Sequence, residues 1–119
     1  MNSKLSSLAL VTLFASPIVA HAHAMLDHAS PAVGSTVATA PKQITITFTE
    51  KLEAKFSSIE VQNAQGAAVQ AGKATLGESA TDLRVPLKPL PPGTYKVIWR
   101  VLSVDTHRTQ GSFNFKVGP

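Results

Sequence analysis

The chain has 119 residues, 44% hydrophobic and 15% charged, with a formal net charge of +4 and no cysteine. That length fits one small domain, and the apolar share is enough for a modest core and unlike a disordered chain. The missing cysteines exclude disulfides and thiolate chemistry, and the scattered cations, without basic runs or interleaved aromatics, argue against nucleic acid as a partner.

The first segment reads as a targeting signal. Lys4 supplies a short positive region, Leu5 to Ala15 is mainly apolar, and after Pro17 small residues alternate at Ala20, Ala22 and Ala24. This is the pattern of a secretory signal peptide, too short to span a membrane as a helix. The segment is therefore expected to be cleaved, leaving one exported domain with no membrane span. Ile18-Val19-Ala20, Ala20-His21-Ala22 and Ala22-His23-Ala24 each satisfy small-residue rules and would leave His21, His23 or Met25 first. The last two fit the A-x-A pattern best, and pattern alone does not choose between them. With His23 first, its α-amino group and its ring nitrogen can bind one metal ion together, since an amine of ordinary pKa near ~8 deprotonates far more readily than a backbone amide.

The remaining chain reads as strands. Ile44, Ile46 and Phe48 alternate with Thr45, Thr47 and Thr49, and Ile59 and Val61 resume the pattern after a less regular Glu50 to Ser58. Asn63 to Gly66 reads as a turn, and Leu83, Val85 and Leu87 form another alternating run. Beyond Pro89, Pro91, Pro92 and Gly93, Tyr95, Val97, Trp99 and Val101 share one face of the strongest strand, opposite Lys96, Ile98 and Arg100. Phe113, Phe115 and Val117 alternate in the last strand. No stretch shows convincing helical periodicity, so the fold class is all-β, an antiparallel sandwich. The aromatic faces are assigned to the core.

Ser103-Val104-Asp105-Thr106-His107 follows the Trp99 strand. In extended backbone, residues at i and i+2 lie on one face, which lets Asp105 and His107 converge as two metal ligands, or as a ligand and its supporting partner. Residues 103 to 111 are read as the link between the two strongest strands, which puts both side chains at one end of the sandwich, on a loop held by a rigid scaffold.

The run from Gly93 to His107, continuing to Gly111, Phe115 and Val117, resembles the bacterial CopC/PcoC copper-resistance proteins, as do His23, Ser30-Pro31-Ala32, Gly34, Ala40-Pro41 and Phe48-Thr49-Glu50. The most specific parts are W-R-x-x-S-x-D-x-H and the spacing of His23 from Ser30-Pro31-Ala32. The resemblance implies a periplasmic Greek-key β-sandwich or barrel of cupredoxin-like, immunoglobulin-like shape that binds Cu(II), cleaved before His23 so that residues 1–22 are the signal peptide and residues 23–119 the mature domain. It implies a single ion held by the His23 amine and imidazole, the His107 imidazole and the Asp105 carboxylate. Glu50 matches the F-x-E position of the family pattern and is assigned no bond. Nitrogen-rich sites with one carboxylate suit Cu(II), although zinc is compatible with the same donors. Only Met25 survives cleavage, so no separate Cu(I) site of the methionine-rich kind is expected. Packing is the expected role of Met25, and His28, five residues from His23, reads first as solvated and second as a competing ligand.

The expected function is a non-enzymatic periplasmic copper protein serving resistance, storage or delivery, monomeric, with an inner-membrane CopD-type transporter as the partner the resemblance suggests. Two alternatives stand beside it. A copper monooxygenase would also use an N-terminal histidine brace, but Asp105 would fill part of its coordination shell and the sequence offers no exposed aromatic platform. An exported interaction domain would bind no metal tightly. With imidazole and amine pKa values near ~6.5 and ~8, copper affinity is expected to weaken on acidification through roughly pH 6 to 5.

Overall fold

A computed structural model describes residues 23–119. The expected signal peptide and its cleavage fall on residues outside these. Eight strands make up the domain: β1 (Leu26–Ser30), β2 (Thr36–Val37), β3 (Gln43–Phe48), β4 (Ser58–Gln62), β5 (Thr75–Leu76), β6 (Asp82–Pro86), β7 (Gly93–Leu102) and β8 (Arg108–Val117), with a single 3-10 turn at Ala54–Phe56. They form two four-stranded sheets, ordered β1-β3-β6-β5 and β2-β8-β7-β4. The expected all-β sandwich is thus present. One pair departs from the antiparallel expectation: β2 runs parallel to the last two residues of β8.

Alternation explains which side chains meet between the sheets. Ile44, Ile46 and Phe48 of β3 and Leu83 and Val85 of β6 point inward from one sheet, and Ile59 and Val61 of β4, Tyr95, Val97, Trp99 and Val101 of β7 and the three apolar residues of β8 from the other, all of them buried. Phe48 meets Trp99 edge-on at 5.1 Å between ring centroids, and Tyr95 stacks on Phe115 at 5.5 Å. The Tyr95 hydroxyl, the polar end of a buried ring, donates to the Pro91 carbonyl. The Asn63–Gly66 turn is also as expected: Gly66 takes a positive φ of 83°, and the Asn63 carboxamide oxygen accepts the N–H groups of Gln65 and Ala67.

Three features were not foreseen. β1 escapes the alternation test because a register irregularity between Leu26 and His28 interrupts it. Leu87 lies beyond β6, in an isolated bridge with Gln70. Finally, β8 starts at Arg108, so the link from β7 is 103–107 rather than 103–111. The polar stretch 108–112 hides this from a hydrophobic pattern, yet it pairs with β7 without a break. Gly111 lies opposite Trp99, and a Cβ there would come 2.5 Å from the indole ring, so the residue permits the ring to lie across its backbone.

Candidate metal centre

The β7–β8 connection is short because one hydroxyl organises it. Ser103 is fully buried, and its N–H donates to the His107 carbonyl at 3.0 Å, closing the hairpin. Thr106 N–H donates to the Ser103 carbonyl at 2.8 Å. The single hydroxyl proton of Ser103 goes to Asp105 Oδ1, and the same oxygen accepts the His107 N–H at 3.3 Å. Thr106 between them has a φ of 72°, a left-handed conformation that a β-branched residue adopts only under constraint. This corrects the extended-backbone expectation. Asp105 and His107 do converge, with His107 Nδ1 3.3 Å from Asp105 Oδ1, but a tight turn brings them together rather than strand alternation. The Val104 N–H, donating to the Lys51 carbonyl at 3.0 Å, and the Leu52–Ser103 bridge tie the turn to the segment after β3.

The third expected residue arrives from the other end of the chain. Ala24 is completely buried, and its carbonyl accepts the Thr109 hydroxyl at 2.6 Å. Thr49 then clamps Met25 twice: its Oγ1 accepts the Met25 N–H at 2.9 Å, and its own N–H donates to the Met25 carbonyl at 2.9 Å. Pinned on both sides, this arm lays the His23 ring edge-on against the His107 ring, centroids 4.5 Å apart and planes at 70°. The two imidazoles and the carboxylate therefore share one end of the sandwich.

Asp105 carries the marked electrostatic feature. The Ser103 hydroxyl is the main cause holding its carboxyl below the ordinary aspartate value of 3.8; burial opposes the shift, and the neighbouring His107 adds to it. The carboxylate is thereby kept in the charged form that a cation requires. Among the described residues no three His, Asp or Glu side chains are already drawn together as a metal cluster. What is assembled is the His23–His107 pair with Asp105 on Nδ1 of His107, and a further donor would have to come from the backbone amine of a processed His23.

The secondary candidates separate cleanly. His28 is mostly solvated, with Nδ1 3.0 Å from the Asp27 carboxylate. Met25 is half-exposed, which corrects the expectation that it packs. Glu50 lies on the bend after β3, and among the described residues it forms no hydrogen bond or ion pair with His23, Asp105 or His107. A cleft of about 700 Å³ lies elsewhere, between the Ala54–Ile59 segment and Gln70–Leu76, and none of the candidate ligands lines it. Sequence reasoning quoted Ser103 and Thr49 without a role at this site and missed Thr109. The available signal was the hydroxyl two residues before Asp105, which is suited to organising a local turn.

Comparison with known proteins bears on the family and the fold. The CopC domain family model matches residues 26–118. Copper resistance protein C of Pseudomonas syringae pv. tomato is 38% identical over 95% of this chain and 98% of its own length. Among solved structures, CopC from Methylosinus trichosporium OB3b superposes with a TM-score of 0.77 at 33% identity, covering 82% of this chain and 95% of that one. PcoC, a methionine-rich copper resistance protein from Escherichia coli, does so with 0.73 at 34% identity, covering 81% and 99%. With the family match running from the first strand to the last, and the same sandwich found in both solved relatives, the chain belongs to the CopC family.

Proposed function

We propose that this protein is an exported, periplasmic Cu(II) carrier that holds one ion for resistance, storage or delivery and performs no catalysis. The observation that carries the reading is the meeting of His23 and His107, from opposite ends of the chain, with their rings 4.5 Å apart. The ligands would be the His23 amine and imidazole, the His107 imidazole and the Asp105 carboxylate. The 3.3 Å between His107 Nδ1 and Asp105 Oδ1 suits this role. Neighbouring donors each about 2.0–2.1 Å from one ion, the distances imidazole and carboxylate adopt around zinc, sit about 3 Å apart. Nitrogen donors with one carboxylate fit tetragonal Cu(II), and the divalent affinity order favours copper.

The copper resistance for which these relatives are named supports the cargo. With Met25 the single methionine of residues 23–119, thioethers do not suffice for a Cu(I) site of the kind a methionine-rich relative can build. An inner-membrane CopD-type transporter is the partner this reading proposes for the metal-bearing end, with the protein itself a monomer.

The test is a Cu(II) titration of metal-free protein beginning at His23, beside His107→Ala and Asp105→Ala, with thermal unfolding as the fold control. One equivalent should bind. His107→Ala should lose more than about a hundredfold in affinity, beyond what the loss of a supporting partner costs, with little change in unfolding temperature. Stoichiometric binding that survives His107→Ala would sink the site, and copper-dependent peroxide turnover would favour the monooxygenase reading.

A further inference from the structure

In sequence the cations of the last two strands stand apart, at Lys96, Arg100, Arg108 and Lys116. The fold gathers them. β7 and β8 pair residue for residue from Gly93↔Val117 to Leu102↔Arg108, so alternation never slips across the hairpin. With Tyr95, Val97, Trp99 and Val101 and the β8 aromatics turned into the core, all four cations lie on the outer face of the same sheet, and all four are exposed. Arg108 sits diagonally from Arg100, and Lys116 diagonally from Lys96. Between the two pairs, Ile98 and Ser112 floor a shallow depression of about 340 Å³ with Lys96 and Arg100 on its rim.

Few counter-charges oppose this array. Strand β4 contributes one acid to the face, Glu60, whose carboxylate accepts Gln62 Nε2 at 3.0 Å. Among the described residues none of the four cations forms an ion pair; both ion pairs found join a histidine to an aspartate. The opposite sheet carries Asp27 and Asp82 on its strands, with Arg84 the single cation of β6. The charge carried by the strands is therefore polarised across the sandwich.

We propose that the outer face of β4, β7 and β8 adsorbs to an anionic phospholipid surface. The composition of the face distinguishes a lipid from a protein partner. Protein interfaces centre on exposed aromatic or methionine anchors and are poor in lysine. Here the exposed large apolar residues, Met25, Val33, Phe56 and Val104, all lie outside these three strands. A flat array of Lys and Arg around a head-group-sized depression matches the diffuse field of charged lipid instead. Each cation near such a surface contributes about a fivefold enrichment. Four cations less one acid give an enrichment on the order of a hundredfold at low salt. That is a weak, reversible adhesion, not an anchor. Arg108 directly follows His107, so the adhering face runs up to the candidate metal centre and would hold it at the rim of the contact. The adsorption itself does not depend on the copper reading, which supplies only its use.

The experiment is sedimentation of metal-free protein beginning at His23 with vesicles of phosphatidylcholine alone or mixed with phosphatidylglycerol, at low and raised salt. We expect binding that needs phosphatidylglycerol and is lost as salt screens the charges. Lys96→Glu with Arg100→Glu should weaken it more than tenfold, and Lys73→Glu with Lys88→Glu, the same charge change away from the face, less than threefold. Unfolding temperatures would confirm that both pairs fold. Absence of phosphatidylglycerol-dependent binding overturns the proposal, as does equal weakening by the two pairs, which would reduce the effect to net charge. Binding to polyglutamate without binding to vesicles also overturns it, in favour of an acidic protein partner. Copper titration of the same samples fails or succeeds independently.

Discussion

Along β7, Tyr95, Val97, Trp99 and Val101 recur at every second residue and are 6% exposed or less, whereas just past Leu102 the chain reverses around a single buried hydroxyl. The interior is held by apolar area, which is non-directional and indifferent to pH. The candidate metal end is held by a handful of directional bonds: Ser103 to Asp105, Thr109 to Ala24, Thr49 to Met25. Damage to the two regions should therefore differ in kind. A core variant should cost stability and leave the chemistry of each folded molecule intact. A variant at the end should change the chemistry at a smaller cost in stability.

The largest effect expected on the core side is from Trp99→Ala, which removes the ring lying over Gly111 and against Phe48. It should cost about 3–5 kcal/mol in denaturant unfolding, while the fraction still folded binds copper with unchanged stoichiometry. Loss of copper binding in that folded fraction would erase the distinction between the regions.

Ser103→Ala comes next. It takes the hydroxyl from the exposed Asp105 carboxylate, which water then solvates, and leaves the His107 N–H without its acceptor, so it should lower stability by less than the core variant in denaturant unfolding. In the metal-free protein the Asp105 carboxyl should move up toward the ordinary aspartate range, as NMR titration would show. The sign follows from the direction of the shift. A carboxyl lowered in the folded state contributes stability that is present above its unfolded value of 3.8 and is lost as pH falls through its lower folded value. The wild type should therefore lose this contribution on acidification below that value, and Ser103→Ala should lose less over the same window. Parallel pH profiles for the two proteins would remove Ser103 as the cause.

The smallest effect is expected from Thr106→Gly. Relief of the left-handed threonine should raise stability by up to about 1 kcal/mol, partly offset by the entropy of glycine in the unfolded chain. If the turn is the positioning device, the gain in stability should come with a faster release of copper, measurable by chelator competition, because the glycine no longer holds Asp105 and His107 in one arrangement.

Much of the sandwich is legible in sequence because Ile44 to Phe48, Tyr95 to Val101 and Phe113 to Val117 obey a period of two that burial enforces. β1 is not, since its irregularity next to His28 breaks that period. The polar start of β8 is hidden too, because backbone pairing needs no hydrophobic pattern. At the candidate site the residue types His23, Asp105 and His107 announce themselves, but the means of their convergence does not. A positive φ at threonine and a hydroxyl shared between Asp105 and His107 are properties of a closed turn, and no spacing rule reports them. The cationic face shows the reverse case. Its four residues look unrelated until an unbroken register puts them on one side.

In the proposed copper site, a processed His23 supplies the amine that completes the ligand set. This is tested most directly by Cu(II) electron paramagnetic resonance on two forms of the protein, one beginning at His23 and one carrying a single residue before it. Tight binding with a nitrogen-rich spectrum is expected in the first form, and weakened binding with an altered spectrum in the second, because the extension turns the amine into an amide. Identical spectra and affinities in the two forms would contradict this, removing the amine from the site and leaving the His23 and His107 rings to bind without it.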